Sequence, residues 1–270
     1  MKSLLEPTVD APAGINKWPA WLDLTQSLTG VALAAFMWVH LTLVSSVHFG
    51  KGTMNTIAGF FELKFLHNWE RGYPIVVVLL GIAIFALFIL HAGIAMRKFP
   101  ASWREYRILN QQMGMMKHAD TNLWFVQALT GFIMFFFGSI HLYTMISQAS
   151  NINADAAGDR FVTGHLWPMY LILHLSVGLH LVVGMYRLAV KWGPFDGKNP
   201  RKTRKVLKQL RNVLTVFYLV IGLMTVYEYM KIGYENRAHR GVGIPHASSG
   251  LAEGGSSGAS TAPSEGGDAR

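Results

Sequence analysis

Long apolar stretches separated by polar segments dominate the chain between residues 18 and 235. Five of them lack Asp, Glu, Lys and Arg, apart from Arg187 near the end of the fourth: 28–47, 75–96, 123–145, 166–190 and 213–227. A helix rises about 1.5 Å per residue, so about twenty residues cross a hydrocarbon core of roughly 30 Å. The pattern therefore predicts an all-α membrane protein with five transmembrane helices.

A short phrase in the first apolar stretch recurs in the third. QSLTG begins at Gln26 and QALTG begins at Gln127, and each leads at the same spacing to a His-Leu pair, at His40 and at His141. The repetition indicates one helix written twice.

The second and fourth stretches carry a matching pair of histidines. His91 is followed by an Ala-Met-Arg run at 95–97, and His180 is followed by Gly184, Met185 and Arg187. A neutral imidazole is a strong ligand for haem iron and is tolerated in an apolar site once it is bound. Four such histidines on two pairs of helices therefore indicate two metal centres.

Depth along the helices predicts how the four histidines pair. His40 and His141 lie about 21 and 27 Å along helices that start on one side, and His91 and His180 lie about 24 and 20 Å along helices that start on the other. The predicted pairs are His40 with His141 and His91 with His180, each holding one haem b between two helices. Four of the five helices would then form a haem-binding bundle. An iron with both axial positions filled by imidazole transfers electrons, because it has no open site for oxygen or substrate.

Composition and charge narrow the class further. Hydrophobic residues make up 51% of the chain and charged residues 14%, which is unlike a soluble enzyme. Because the chain has no cysteine, it cannot itself ligate an iron–sulfur cluster, attach c-type haem or form a disulfide. The net charge of +9 comes mostly from Lys and Arg in 97–117 and 191–211. The positive-inside rule then places the N-terminus in the cytoplasm and the C-terminus in the periplasm of a bacterial inner membrane, and no nucleic-acid partner is needed to explain the charge.

The chain divides into three expected segments. Residues 1–17 would form a cytoplasmic N-terminal arm without a basic-then-apolar leader, so no cleaved signal peptide is expected. Residues 18–235 would form the five-helix dihaem membrane domain. Residues 236–270, rich in Gly and Ser, would form a disordered tail, because such a composition cannot bury enough apolar surface to fold.

Three runs carry a resemblance to a known family: HAGIAMRKFP from His91, HADTNLWFVQALTGFIMFFFGSIHLYTM from His118 and MYRLAVKWGPFDG from Met185. They resemble the dihaem cytochrome b membrane subunit of epsilon- and delta-proteobacterial quinol:fumarate reductase, over residues 18–234. The resemblance implies an anchor with two haems b that oxidises menaquinol in anaerobic respiration. It also implies an iron–sulfur subunit and a fumarate-reducing flavoprotein as partners, membrane lipid around the helices, and a second copy of the complex as a further candidate partner.

The resemblance also assigns roles to single residues. It implies haem ligation by His40, His91, His141 and His180. It implies haem propionate contacts from Gln26, Ser27, Trp124 and Lys191, which are polar or cationic groups near the inner helix ends. Glu62, in the phrase FFELKF, matches the catalytic glutamate of the menaquinol site, where a carboxylate accepts a proton released by quinol oxidation.

One position departs from the family pattern. Gly178 stands two residues before the last haem histidine, where the family carries a glutamate proposed to move protons across the membrane. His174 lies one turn earlier on the same predicted helix face. Proton transfer or quinone contact by His174 is one hypothesis, and a histidine bonded to a neighbouring helix is the alternative.

Two other functions remain open at this point. The same subunit could serve a succinate dehydrogenase that reduces menaquinone, because the sequence does not determine the direction of electron flow. A membrane scaffold without redox chemistry, in which the histidines are structural, is the second alternative. Optical spectra that show or lack b-type haem separate the scaffold from both redox functions.

Overall fold

The computed structural model describes residues 16–68, 72–115 and 119–242. Five long helices run through these residues: α1 (Trp18–Ser45), α3 (Pro74–Met96), α5 (Ala119–Ser147), α7 (Trp167–Trp192) and α8 (Pro200–Val242). Three shorter helices lie in the connections: α2 (Lys51–Phe61), α4 (Trp103–Met115) and α6 (Ala154–Val162). The described residues contain no strand, and their five long helices are apolar and long enough to cross a membrane. The predicted all-α membrane fold with five transmembrane helices is confirmed.

Proline and glycine mark several helix ends. Proline lies in the first turn of α1, α3 and α7 and opens α8, where the missing N–H costs no intrahelical hydrogen bond. Gly193 follows α7 in a left-handed conformation, with φ of 61°, and its N–H closes the helix on the Ala189 carbonyl. The short α2 and α6 were not predicted, because the polar segments that contain them lack a long apolar signal.

The last helix extends beyond its predicted end. It continues to Val242, seven residues beyond the expected domain boundary at 235, so residues 236–242 are helical. Arg240 explains the extension, because its guanidinium binds the Asp159 carboxylate of α6 at 2.7 Å, and Asn236 donates to the same carboxylate at 3.0 Å. Residues 1–15 and 243–270, which hold most of the predicted arm and tail, lie outside the described residues.

The long helices pack in chain order. Helix α1 lies beside α3, α3 beside α5 and α5 beside α7, while α8 packs on α7 and also contacts α1. Apolar side chains of α1, α7 and α8 form one core cluster: Ala34, Leu41, Leu173, Val177, Leu181 and Tyr218. Four helices therefore form a bundle, and α8 supports it from outside.

The two ends of the bundle differ in chemistry. The basic end comprises the start of α1 and the ends of α3 and α7, where Arg97, Lys98 and Lys191 gather. The capped end is covered by α2 and α6, which pack with α8 around a second apolar cluster. At this end α6 and α8 approach closely, since a Cβ added to Gly158 would lie 2.8 Å from the Gly233 nitrogen.

Candidate functional site

His91 of α3 lies against α1 near the basic end. Its Nδ1 is 3.0 Å from Thr29 Oγ1, and the Gln26 backbone carbonyl is a second partner. Thr29 donates its own proton to the Thr25 carbonyl at 2.8 Å, so its oxygen accepts from the ring. With Nδ1 acting as the donor, Nε2 keeps a free lone pair and can ligate a metal.

His180 of α7 repeats this arrangement against α5. Its Nδ1 is 2.9 Å from the Gln127 carbonyl oxygen and 3.4 Å from Thr130 Oγ1. Thr130 likewise donates to its own helix, to the Val126 carbonyl at 2.7 Å. Since a carbonyl only accepts, Nδ1 of His180 is protonated and Nε2 is the atom available to a metal.

Glycine makes both close approaches feasible. A Cβ at Gly30 would lie 3.1 Å from Cε1 of His91, and a Cβ at Gly131 would lie 2.9 Å from Cε1 of His180. The repeated Leu-Thr-Gly step therefore receives the histidine of the neighbouring helix, whereas the repeat in the sequence links it to the histidine of its own helix.

His40 of α1 and His141 of α5 lie together toward the capped end. Their ring centroids are 6.0 Å apart and the ring planes form an angle of 62°. Aromatic rings surround them, since His40 stacks on Phe36 at 5.7 Å and His141 meets the edge of Tyr170 at 5.6 Å. Nδ1 of His141 is buried without a hydrogen-bond partner.

The distance between these two rings fits one metal between them. A metal–imidazole bond is about 2 Å long and a ring nitrogen lies about 1 Å from the ring centre, so two opposed rings on one metal have centroids roughly 6 Å apart. The described residues contain no group of three or more His, Cys, Asp or Glu side chains arranged around a metal ion. Two imidazoles without a third protein ligand among the described residues would suit a macrocycle that brings its own nitrogens to the metal.

The polar residues at the basic end form a cation-rich cluster around Asp23. Arg97 contacts its carboxylate, and Lys98 and Lys191 bind it at 3.0 and 3.2 Å. Three cations against one carboxylate leave an excess of two positive charges, which matches the two propionates of one haem. The predicted Lys191 thus lies in the cluster, and Asp23, which sequence reasoning missed, organises it.

The other three predicted propionate contacts are distributed around this cluster. Ser27 accepts a hydrogen bond from Trp192 Nε1 at 3.0 Å, in the turn of α1 that follows Asp23. Gln26, beside it, has a buried Oε1 with no partner. Trp124 of α5 instead packs against Phe99, with ring centroids 6.3 Å apart. The structure thus brings Gln26, Ser27 and Lys191 together, and Trp124 lies on the α3 side.

Glu62 ends α2 at the capped end and is 7% exposed. Its Oε2 lies 3.3 Å from Lys64 Nζ, and its backbone carbonyl accepts from the Tyr73 N–H at 2.8 Å. The carboxylate packs on Gly72, at the entry to α3. The structure therefore gives Glu62 a buried carboxylate with one cationic neighbour, at the same end as His40 and His141.

His174 and Gly178 share one face of α7, as their spacing predicted, and the structure shows that this face packs on α8. Nε2 of His174 lies 3.3 Å from the Leu219 carbonyl, and its ring stacks on Tyr218 at 5.5 Å. A Cβ at Gly178 would lie 2.8 Å from Tyr218 Cδ1, so a larger side chain has no room there without movement of the tyrosine. His174 makes the contact expected of the structural alternative, and its role in proton transfer stays a prediction.

Comparisons with known proteins decide the family. Residues 104–222 match the family described as succinate dehydrogenase/fumarate reductase transmembrane subunit. The chain is 46% identical over 220 residues to the fumarate reductase cytochrome b subunit of Wolinella succinogenes, covering 82% of this chain and 85% of the relative. Two Helicobacter pylori subunits of the same name are 39% and 38% identical over 238 residues, covering 87% of this chain and 91% of each relative.

The chain belongs to the fumarate reductase cytochrome b subunits. The predicted family is thereby confirmed, and the chain is a multi-pass membrane subunit of this oxidoreductase type. The region matched by the family model spans α4 to α7 and the first part of α8, up to residue 222. Within this family member, the contacts that sequence reasoning missed are those of Asp23, Thr29, Thr130 and the Gln127–Arg187 pair, in which Arg187 donates to Gln127 Oε1 at 2.6 Å. The signal for three of them was the repeated phrase itself.

Proposed function

We propose that this chain is the dihaem cytochrome b anchor of a quinol:fumarate reductase and contains its menaquinol-oxidising site. The observation that carries the proposal is the proximity of the His40 and His141 rings, whose 6.0 Å centroid distance suits a shared metal. A second pair, His91 and His180, has both Nδ1 atoms hydrogen-bonded to protein acceptors, which leaves both Nε2 atoms free to ligate. The name of the related subunits, cytochrome b, supports haem b as the bound group.

Each pair would hold one haem b, which supplies one-electron transfer when bound. His40 and His141 would hold the group at the capped end, and His91 and His180 the group at the basic end. The cationic cluster of Arg97, Lys98 and Lys191 would neutralise propionates there, with Gln26 and Ser27 as neighbouring polar contacts and Trp124 as a further proposed contact.

Menaquinol would give up its electrons at the capped end. Oxidation of a quinol releases two protons, and the buried Glu62 carboxylate can accept one of them. Lys64 holds this carboxylate in place, because its ammonium lies 3.3 Å from Oε2 of Glu62. The electrons would leave toward the basic end.

The basic end would meet the partner subunits. Its lysines and arginines support a cytoplasmic location by the positive-inside rule, with the N-terminus on the same side and the C-terminus in the periplasm of a bacterial inner membrane. An iron–sulfur subunit would receive the electrons at this end and pass them to the flavoprotein that reduces fumarate. A second copy of the complex is a further proposed partner, through apolar helix faces that also contact lipid.

A reductive optical titration of the purified complex tests the proposal. We expect two b-type haems with separate midpoint potentials and reduction of both by a menaquinol analogue. A complex without haem, or with haem that quinol does not reduce, would disprove the proposed function.

The family description names succinate dehydrogenase as well as fumarate reductase, so the reverse direction is the second candidate. The ratio of menaquinol:fumarate to succinate:menaquinone turnover in the same preparation decides between them. A ratio well above one supports fumarate reduction, and a ratio well below one supports succinate oxidation.

A further inference from the structure

The five-residue step Gln-x-Leu-Thr-Gly occurs at 26–30 of α1 and at 127–131 of α5. In both places it contacts a histidine that belongs to another helix, His91 in the first case and His180 in the second. We propose that each step is a cradle, meaning a backbone carbonyl, a threonine hydroxyl and a glycine that together orient one imidazole. The two cradles would lower the redox potential of the haem at the basic end. This inference rests on the proposed haem ligation by His91 and His180.

The threonines act as acceptors in both cradles. Thr29 donates to its own helix at 2.8 Å, and Thr130 does the same at 2.7 Å, so neither proton is available to the ring. The hydroxyl oxygens therefore face Nδ1–H of His91 at 3.0 Å and of His180 at 3.4 Å as acceptors. At His180 the Gln127 carbonyl is the nearer acceptor, at 2.9 Å.

The glycines set how close each ring can come. Cβ atoms at Gly30 and Gly131 would lie 3.1 and 2.9 Å from the ring carbons of the two histidines. Any side chain there would push the imidazole away from its acceptors. The step thus combines a hydrogen-bond acceptor with the space that the imidazole ring needs to reach it.

The second cradle is also held from the side. Arg187 of α7 donates to the Gln127 side chain at 2.6 Å, while the Gln127 backbone accepts from His180 of the same helix. Two bonds therefore join one residue of α5 to α7. In the first cradle the matching atom, Gln26 Oε1, is buried without a partner.

An acceptor on Nδ1–H raises the basicity of the ligating Nε2. A more basic ligand stabilises ferric iron more than ferrous iron, so the cradles lower the potential. The capped-end pair provides the contrast, because Nδ1 of His141 is buried without an acceptor and the described contact of the His40 ring is a stack on Phe36. Thr29 and Thr130 are positioning residues of the basic-end pair.

The test replaces each threonine by valine, which has nearly the same shape and no acceptor. We expect Thr29→Val, Thr130→Val and the double variant to raise one haem midpoint potential, with the largest shift in the double variant. The other potential stays where it is in the unchanged complex, and Thr→Ser at either site restores the shifted value. Redox titration followed by optical and EPR spectra measures both haems without an activity assay.

Two further variants make the readout specific. Lys191→Gln identifies the basic-end haem, because removal of a nearby positive charge lowers the potential of the nearer group most. Thr144→Val is the matched control on α5, since Thr144 bonds only to its own helix, at the Ile140 carbonyl, among the described contacts.

The possible outcomes distinguish failure of the cradle from failure of the proposed function. Two haems with unshifted potentials in the valine variants would overturn the cradle and leave the proposed function intact. The same conclusion would follow if the valine variants shifted the haem whose potential does not change in Lys191→Gln. Loss of the basic-end haem in a valine variant, with recovery in serine, supports the cradle. An unchanged complex that contains no haem overturns the proposed function itself.

Discussion

The two histidine pairs are built from the same residue type in one helix bundle, His40 and His141 on α1 and α5 and His91 and His180 on α3 and α7, yet their surroundings differ. At the basic end, the rings of His91 and His180 donate to oxygen atoms of the helix beside them. At the capped end, His40 and His141 lie among Phe36 and Tyr170, and Nδ1 of His141 has no acceptor. Identical ligands can therefore be given different basicity by their second partners alone.

The difference follows from the chain direction of the repeat. In α1 and α5 the Thr-Gly step comes ten residues before the histidine, which corresponds to about 15 Å along the helix. The Thr-Gly step and the histidine of one helix therefore lie at different depths in the membrane and contact different histidine pairs. One duplicated helix sequence therefore provides a proposed ligand at the capped end and a proposed cradle at the basic end.

Removing a ligand from either pair should have the largest effect. His180→Ala should abolish the basic-end haem and His141→Ala the capped-end haem, because one imidazole cannot replace the second axial bond. Pyridine haemochrome analysis of the purified complex should then give about half the haem in each variant.

Histidine 174 supplies the control for this comparison. His174 lies on the same helix as His180 but contacts Leu219 and Tyr218, so both haems should remain in the His174→Leu variant. Full haem content in His141→Ala or His180→Ala would contradict the pairing. Unchanged quinol turnover and spectra in His174→Leu would dispose of its role in proton transfer.

Glu62→Gln should have the next largest effect, and only on quinol oxidation. General base catalysis is typically worth 10²–10⁴-fold, so we expect menaquinol oxidation to fall by roughly 10²-fold with both haems and both potentials nearly unchanged. The assay uses a menaquinol analogue and the intact complex.

Glu235→Gln is the matched control for Glu62, because Glu235 also lies at the capped end and pairs loosely with Lys51 at 3.9 Å. The Glu235→Gln variant should keep the menaquinol turnover of the unchanged complex. Normal turnover in Glu62→Gln with normal haem content would move the quinol site elsewhere and would separate quinol oxidation from the capped end.

Sequence patterns predicted the membrane helices and the pairing by depth for physical reasons. Apolar length and 1.5 Å per residue are properties of a single helix, and the 6.0 Å contact of His40 with His141 agrees with the depth argument. The cradles could not be predicted in the same way. The side chain that the Thr29 hydroxyl contacts depends on the rotation of α1 about its own axis. Packing of α1 against α3 sets this rotation, and the sequence of one helix does not reveal it.

The length of α8 could not be predicted from the sequence for a related reason. Residues 236–242 are polar and look like tail sequence, but Arg240 and Asn236 reach Asp159 across the capped end. Charge pairs between distant segments leave no local periodicity. The same holds for Asp23, whose three cationic partners come from α7 and from the end of α3 and the segment that follows it.

Glycine substitutions on α5 should change the stability of the protein differently at the two ends of the bundle, with a smaller effect than the changes above. Gly131→Ala puts a Cβ 2.9 Å from the His180 ring, whereas Gly138→Ala meets Phe88 at an ordinary 3.6 Å. Overpacking costs about 1–3 kcal/mol, while alanine favours a helix over glycine by about 1 kcal/mol. Thermal unfolding followed at the haem absorbance should therefore show lower stability for Gly131→Ala and equal or higher stability for Gly138→Ala. Equal stability of the two variants would mean that His180 does not depend on the glycine.

The smallest effect should come from the ion pair that closes the capped end. The hydrogen-bonded Arg240 guanidinium holds the pKa of Asp159 below its ordinary value of about 3.9, despite an opposing effect of burial. A lowered pKa in the folded state means that the pair stabilises the fold fully above about pH 4 and loses this contribution as the pH falls through the folded-state pKa. Asp159→Asn should lower the free energy of unfolding by about 1 kcal/mol or less at pH 7, because the pair is partly exposed. The difference from the unchanged protein should vanish in acid. A deficit in Asp159→Asn that persists unchanged well below pH 4 would show that packing at α6, rather than charge, closes this end.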